Sequence, residues 1–292
     1  MTLQNDVNIM MIGHFAKDRL VIDGHGEYAS GGAVYYGSVA LRRLGVSVAV
    51  VTRLHLDDLP LLDELKQEGV QVFTTSAPAT SGIENIYNSA DMERRICKLM
   101  NFAGPFQLEE IPALSARIYL VAPIIAGEVD LAILKSLAQR GPVAIDVQGF
   151  VRAREDGHLV FRQWSEMEEG LSLVTYLKLD RAEAELLTGQ TDLQSAARQL
   201  ADYGPREIVI TQSSGVTVFA NGDLYEAPFT SRSLKGRTGR GDTCFATYLG
   251  KRLTTSPGEA CRYASAVTTL KQEKPGPWRG TPEDIEILLT SR

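Results

Sequence analysis

Gly236-Arg237-Thr238-Gly239-Arg240-Gly241-Asp242-Thr243-Cys244-Phe245-Ala246-Thr247-Tyr248-Leu249 is the stretch on which the reading of this chain turns. Two glycines flank Arg240, an aspartate follows at once, and an apolar, helix-capable run begins. Backbone amides at such a turn converge on an anion, and the first turn of the helix adds unsatisfied N–H groups and the positive end of the macrodipole. A carboxylate is a poor residue to place beside a phosphate merely to bind it. It makes sense where it takes a proton from a hydroxyl that attacks that phosphate. The alternative is an ordinary helix start, with glycines for the turn and Asp242 near the cap. Short Gly-rich patterns also arise by chance, so the rest of the chain has to decide.

Around this stretch the alternation is regular. Val7 to Ile12 is a compact apolar run ending at Gly13, and Ala33 to Leu44, after Gly31-Gly32, fits a helix that ends at Gly45. Strand-like Val46 to Thr52 is followed by a helical Leu59 to Glu68 and a short strand Val70 to Phe73. The pattern resumes with Arg117 to Val121, Val129 to Gln139, Val143 to Val147, Leu173 to Lys178, Arg181 to Leu187, Leu193 to Tyr203 and Glu207 to Thr211. Strands alternating with helices predict an α/β fold in three layers, a mainly parallel central sheet covered on both faces. Two stretches break the rule: Leu20 to Ser30 and Ser81 to Met100 contain period-two runs such as Ile83-Glu84-Asn85-Ile86-Tyr87 and Arg95-Ile96-Cys97-Lys98-Leu99. They predict a small, half-exposed sheet projecting from the main body, from segments at about 14–30 and 80–103. The last third reads as helices at Asp242 to Arg252, Pro257 to Lys271 and Pro282 to Leu289. With no repeat, low-complexity tract or linker, residues 1–292 are expected to form a single domain.

Composition narrows the function. A chain of 292 residues that is 44% hydrophobic and 23% charged has the makeup of an ordinary globular protein. Its net charge of -6 argues against a nucleic-acid partner. No apolar run is long enough to span a bilayer, and the polar Met1 to Asp6 lacks the order of a signal peptide. The expectation is a cytoplasmic protein with no membrane partner. Cys97, Cys244 and Cys261 are odd in number and far apart, so they read as small buried hydrophobes rather than disulfide partners or zinc ligands. His14, His25, His55 and His158 show no metal-ligand spacing.

Other polar groups fall where strands end, the edge at which open α/β sheets bind ligands. Lys178-Leu179-Asp180-Arg181-Ala182-Glu183 passes from strand to helix. Asp180 and Glu183, three apart, can hold water around a Mg²⁺ ion, or they can form a capping box with Asp180 as N-cap and Glu183 at N3. Thr211-Gln212-Ser213-Ser214-Gly215 turns into the return strand Val216 to Phe219. It reads as a hairpin, with a nucleotide role for Thr211 and Gly215 as the second possibility. Asp18, in a loop after the first strand, can accept hydrogen bonds from vicinal hydroxyls, while Gly31-Gly32 permits close backbone approach or a hinge. Asp146-Val147-Gln148 adds two further polar groups, Asp146 and Gln148, at the same edge.

In this order and at these distances the segments resemble the ribokinase-like (PfkB-type) sugar kinases, over Val7 to about Leu289. The resemblance implies a kinase that transfers the γ-phosphoryl group of ATP, with Mg²⁺, to a hydroxyl of a small sugar or polyol. Thr238-Gly239-Arg240-Gly241-Asp242 looks like the family's anion hole followed by its catalytic base. Gly31-Gly32 looks like the hinge between core and lid, and Asp18 and Gln148 fall among the substrate contacts. Lys178, Asp180, Thr211, Gly215 and Thr238 would face the nucleotide, with Asp180 and Glu183 (through water) near the metal. The two alternating stretches then correspond to a β-lid, often a homodimer contact. Ala122-Pro123-Ile124-Ile125-Ala126-Gly127-Glu128 and Asp146-Val147-Gln148 are similar to inositol-kinase-like members. A nucleoside kinase of the same fold, using Phe15, Tyr28, Tyr35 or Tyr87 against a base, and a non-catalytic sugar or nucleotide sensor are the alternatives.

The chain departs from the family pattern in three places. Asp180 replaces the usual asparagine. Arg240 replaces a small residue, leaving its backbone amide to serve the anion and its guanidinium to contact phosphate. Gly236 replaces an aspartate in a neighbourhood where many relatives hold a monovalent cation. Arg237 beside it is expected to supply compensating charge, with little or no potassium stimulation.

Overall fold

The computed structural model describes residues 6–291, apart from the side chains of 92–95; the Met1 to Asp6 reading therefore lies almost wholly outside the described residues. Nine strands form the central sheet, in the spatial order Asp223–Pro228, Gly215–Ala220, Glu207–Thr211, Tyr176–Asp180, Val143–Asp146, Ala116–Val121, Val7–Ile12, Val48–Leu54 and Gln71–Ser76. The last seven of these run parallel, and only the hairpin strands at the first edge are antiparallel. Continuous β-branched and aliphatic runs such as Val48–Leu54 and Glu207–Thr211 are buried along both faces, as a sheet covered on two sides requires.

Alternate residues of each strand feed two different cores. Ile9, Met11, Val48, Val50, Ile118, Leu120 and Val209 pack under the helices Ala33–Arg43, Arg240–Arg252 and Pro257–Gln272. Met10, Ile12, Ala49, Val51, Val121, Ile145, Leu177 and Ile210 pack under Leu131–Ala138, Arg181–Thr188 and Leu193–Ala201. This is the predicted three-layer arrangement, and it fixes which ends of the strands are open to a ligand. Among the described residues no helix is long and apolar enough to cross a membrane.

A second sheet of six strands stands beside the first, in the order Arg152–Glu155, His158–Phe161, Asp91–Asn101, Gly82–Asn88, Ala16–Ile22 and His25–Gly31. The two alternating segments read from sequence supply four of these strands. The third hairpin, 152–161, was not anticipated, yet it carries a clear signal in Asp156-Gly157. Both residues adopt positive φ, as do Asp23-Gly24 and Asn221-Gly222 at two other hairpin tips, the two-residue turn that suits the twist of paired strands.

Three other boundaries differ from expectation. The segment read as a helix from Leu59 is a 3₁₀ stretch, Leu56–Leu62, with Pro60 inside it, leading into a short helix, Asp63–Gln67. Asp130 accepts from the Ile133 N–H at 3.0 Å, which starts that helix at Leu131 rather than Val129. The apolar run at Leu173 belongs to the end of an unanticipated helix, Met167–Ser172, so the following strand begins at Tyr176.

Ile145 sits fully buried in the middle of the central sheet. Ile145→Ala should lower the unfolding free energy by about 2–5 kcal/mol in urea, with an unchanged m-value. A loss well under about 1 kcal/mol would contradict the packing described here.

Candidate active site

The parallel strands end on one edge, bringing Ala122, Asp146, Asp180 and Thr211 to the floor of a cleft. The small sheet contributes Asp18, Ile83, Asn85 and Arg152 to one wall, and residues 237–242 form another. Ligands in open α/β sheets bind at this position, where strand order diverges from the first strand.

The glycine turn is built around a steric constraint. Gly239 caps the helix Arg240–Arg252 with φ 82°, and a Cβ at that position would lie 2.4 Å from the Tyr36 ring. Both the left-handed backbone and the aromatic neighbour therefore require glycine. Asp242 is the acidic residue of the first helical turn and lines the cleft. A Cβ on Gly241 would meet the Lys178 ammonium at 3.3 Å, so the turn and that lysine face each other closely. The Thr238 hydroxyl meets the Tyr87 hydroxyl of the small sheet at 3.0 Å, tying the two walls together.

Arg240 behaves differently from expectation. Its backbone N–H donates to the Arg237 carbonyl at 3.1 Å, because the turn closes on itself there, and its guanidinium reaches Gln272 Oε1 at 3.4 Å. The other amides of that first turn are those of Gly241 and Asp242. Arg237 lines the cleft. Behind the turn, Lys271 donates to the carbonyls of Gly236 and Thr238 and lies 4.9 Å from the centroid of the Tyr36 ring. Burial pulls the Lys271 ammonium down to about 7, opposed by the Asp242 carboxylate. Burial also raises the Tyr36 phenol well above its usual range, reinforced by Asp18 and Asp242. Tyr36 is thus a neutral wall rather than a base.

On the floor, Lys178 is buried and ion-paired to Asp146 at 2.9 Å. Burial works against its charge, but Asp146, Glu183, Asp242 and Asp180 outweigh it and hold the ammonium firmly protonated. Asp180 and Glu183 form the capping box: Glu183 N–H donates to Asp180 Oδ1 at 2.9 Å, and Asp180 N–H to Glu183 Oε2 at 2.7 Å. Asp180 remains exposed on the cleft while Glu183 lies beneath, its carboxyl pushed up to about 7 by burial against the pull of Lys178. Among the described residues no cluster of three His, Cys, Asp or Glu side chains is arranged to hold a metal ion.

The opposite wall is set by Asp18. It lies in the strand Ala16–Ile22, not in a loop, and its Oδ1 accepts from the Ile83 N–H at 2.8 Å. A Cβ on Gly31 would sit 2.3 Å from Asp18 Oδ2, so Gly31 makes room for the carboxylate rather than facing the cleft itself. Gly32 does line the cleft and starts the helix Ala33–Arg43 with φ 87°. Arg152 donates to the Ile124 carbonyl at 3.0 Å. That loop is clamped by the fully buried Glu128, which accepts the N–H groups of Ile124, Ile125 and His14 at 2.7, 2.8 and 3.2 Å.

Of the residues singled out by sequence, Asp18, Gly32, Gln148, Lys178, Asp180, Thr211, Thr238, Gly239, Arg240, Gly241 and Asp242 meet in this one cleft. Gly31 and Glu183 lie just behind it, and Gly215 sits inside the strand Gly215–Ala220, where a Cβ would strike the Ala227 carbonyl at 2.5 Å. Its glycine is required by strand packing. Tyr36, Asn85, Arg152 and Lys271 escaped the sequence reading. Asn85 had a signal: residues 83, 85 and 87 are the buried positions of an alternating strand, and asparagine is out of place there unless it faces a polar ligand.

The profile of the pfkB family carbohydrate kinases matches residues 3–284, and the chain belongs to that family. It is a phosphotransferase acting on a hydroxyl group, with the ribokinase-like fold. The cytidine kinase of Thermococcus kodakarensis is 26% identical over 270 residues, covering 87% of this chain and 92% of the relative. A pyrophosphate-dependent kinase in the ribokinase family, solved with sulfate, is 38% identical with a TM-score of 0.89, covering 95% of this chain and 99% of that one. A pyrophosphate-dependent kinase in the ribokinase family, complexed with a pyrophosphate analog and myo-inositol, is 37% identical with a TM-score of 0.88, covering 96% and 99%.

Glu128 offers a test of the clamp beside the site. Burial raises its carboxyl from 4.5 to about 7, against the lowering effect of the Ile125, Ile124 and His14 amides. A folded-state pKa above the unfolded one gives a contribution fully present below the unfolded value and lost as pH rises through the folded value. The unfolding free energy of wild type minus that of Glu128→Gln should therefore fall by on the order of 3 kcal/mol between pH 4.5 and 7. A difference that stays flat across that window would contradict the buried, proton-retaining carboxyl.

Proposed function

We propose that the protein phosphorylates an inositol-like polyol, with pyrophosphate as its preferred donor and Asp242 as the general base. One observation carries this reading: Asp242, at the head of a helix and directly after the glycine turn, shares a cleft with Asp18 and Asn85 of the small sheet. The acceptor lies on the Asp18 side, where carboxylate and carboxamide oxygens accept bonds from neighbouring hydroxyls. Its attacking hydroxyl gives a proton to Asp242 as the new O–P bond forms and the bridging P–O bond of pyrophosphate breaks, releasing inorganic phosphate, while the amides of Gly241 and Asp242 stabilise charge on the transferring phosphoryl group. Lys178, held charged by Asp146, steadies the phosphate end of the donor.

The donor assignment rests on the lining. Tyr36 is the one aromatic among the described cleft residues, and it is buried under Gly239 and over Lys271. A purine or cytosine ring finds no second aromatic to stack on among the described lining residues, whereas Lys178, Arg237 and Arg240 suit a compact, highly charged diphosphate. The two solved pyrophosphate-dependent kinases support the same choice over ATP. Asp180, the exposed carboxylate of the floor, would hold a hydrated Mg²⁺, which would supply charge neutralisation to the donor phosphates. Glu183 would act there only through water, since its Oε2 is engaged by the cap.

Phosphate transfer should be measured with pyrophosphate and with ATP, each against myo-inositol, ribose and cytidine in the presence of Mg²⁺. Turnover of myo-inositol with pyrophosphate, exceeding any ATP rate, is the expected result; a protein active only with ATP, or faster on cytidine, would refute the reading. Asp242→Asn should lose ~10²–10⁴ in turnover while keeping its fold, and wild-type turnover would remove Asp242 from the base role. Asp18→Ala should raise the acceptor KM by roughly 10–100-fold, the equivalent of one charged hydrogen bond, with the donor KM nearly unchanged.

A further inference from the structure

Lys271 is an unusual residue in this fold. It sits near the end of the helix Pro257–Gln272, 2% exposed, with no acidic partner in contact among the described residues. Its ammonium donates to two main-chain carbonyls, those of Gly236 and Thr238, and lies against the face of the Tyr36 ring at 4.9 Å. An ammonium has three N–H donors and no acceptor. Two carbonyl oxygens and a ring face are three acceptors and no donor, so the cage fits the protonated form and would leave the lone pair of a neutral amine unmatched.

The surroundings make the cage specific. Gly236 N–H donates to the Gln272 carbonyl at 2.8 Å, so the start of the turn is pinned to the end of the same helix. A Cβ at residue 236 would lie 1.8 Å from the Lys274 carbonyl and 2.7 Å from that of Lys271. No carboxylate-bearing residue fits there without moving the helix terminus. The oxygens that converge behind the turn therefore meet a tethered cation, and the space a free ion would need is filled by the lysine side chain. Arg237, expected from sequence to supply that charge, lines the cleft instead.

We infer that the Lys271 ammonium is a built-in cation that holds residues 236–239 in their anion-binding conformation, making the enzyme independent of monovalent metal ions. Lys271 is a positioning residue: it acts on the donor phosphate through the backbone of the turn. The kinetic part of this inference rests on the phosphotransfer reading of that turn; the ion-binding part does not.

The test uses the full chain as wild type, Lys271→Ala and Lys271→Met, in sodium, potassium and tetramethylammonium chloride at equal ionic strength. Wild type should work at the same rate, within about twofold, in all three salts. Lys271→Ala should lose at least about tenfold in kcat with little change in acceptor KM, and potassium should restore several-fold where tetramethylammonium does not. Lys271→Met, whose thioether refills the space without charge, should lose activity and show no rescue. Without any substrate, the melting temperature of Lys271→Ala should rise in potassium relative to tetramethylammonium, and that of wild type should not. This last measurement decides the matter even if donor or acceptor has been misassigned. A several-fold, potassium-specific stimulation of wild type overturns the inference and needs no variant to fold. So does wild-type kcat in Lys271→Met, or a folded Lys271→Ala that responds to potassium in neither rate nor melting temperature.

Discussion

The contact between the Tyr36 ring and the backbone of Gly239 determines how the cleft is put together. Tyr36 belongs to the first long helix and Gly239 to the start of a helix some two hundred positions later. The ring leaves no room for a Cβ at residue 239, which also needs a left-handed backbone. The same two helices pack tightly further along, where a Cβ on Gly37 would meet that of Ala246 at 2.9 Å. Their close approach aims the first turn of the later helix, with Asp242, over the strand ends. Change the spacing and the amides and the carboxylate no longer point at one place.

Charge then has to be arranged around that place. Four carboxylates, Asp18, Asp146, Asp180 and Asp242, line the cleft, a costly grouping in a partly desolvated space. Lys178 offsets it from below, held charged by Asp146, Asp242 and Asp180 together with Glu183 against the effect of burial. Glu183 completes the picture in a second way: its carboxylate closes the capping box that orients Asp180. The capping and metal-proximal readings of that pair are compatible. A carboxylate that fixes a helix start also fixes the direction in which the exposed Asp180 presents its free edge.

How much of this was legible in the sequence follows from how local each signal is. Strands such as Val7–Ile12 and Glu207–Thr211 are continuous buried runs, and their extent needed no tertiary information. The glycine turn was legible because positive φ and an adjacent carboxylate are properties of neighbouring residues. Lys271 and Tyr36 were not, since a lysine near a helix end and a tyrosine within an apolar helix look ordinary until the chain folds. What sets them apart is carbonyls and a ring brought together from elsewhere in the chain. Asp18 was found but misplaced: one paired edge of its strand, Arg19 to Ile22 with Glu84 to Tyr87, runs parallel to a segment over sixty residues away, which no local pattern announces. Gly215 was singled out by proximity to Thr211, and only its strand partner, at the Ala227 carbonyl, shows why it must be glycine.

The two walls of the cleft differ in what they can recognise, and that difference shapes the choice of substrates. On the small-sheet side the polar groups are short and fixed: Asp18 is held by the Ile83 amide, and Asn85 accepts from the Cys97 thiol at 3.3 Å. Such groups discriminate by hydroxyl geometry, because a misplaced hydroxyl leaves a buried acceptor unmatched. On the donor side the groups are amides, Lys178 and long guanidinium side chains, which recognise charge and tolerate variation in shape. Under the proposed function, stringency toward the polyol and latitude toward the phosphate donor would then be built into one site. On that reading a shift of donor asks for fewer changes than a shift of acceptor, since an amide pair at Gly241 and Asp242 would meet the same phosphoryl group whatever it is leaving.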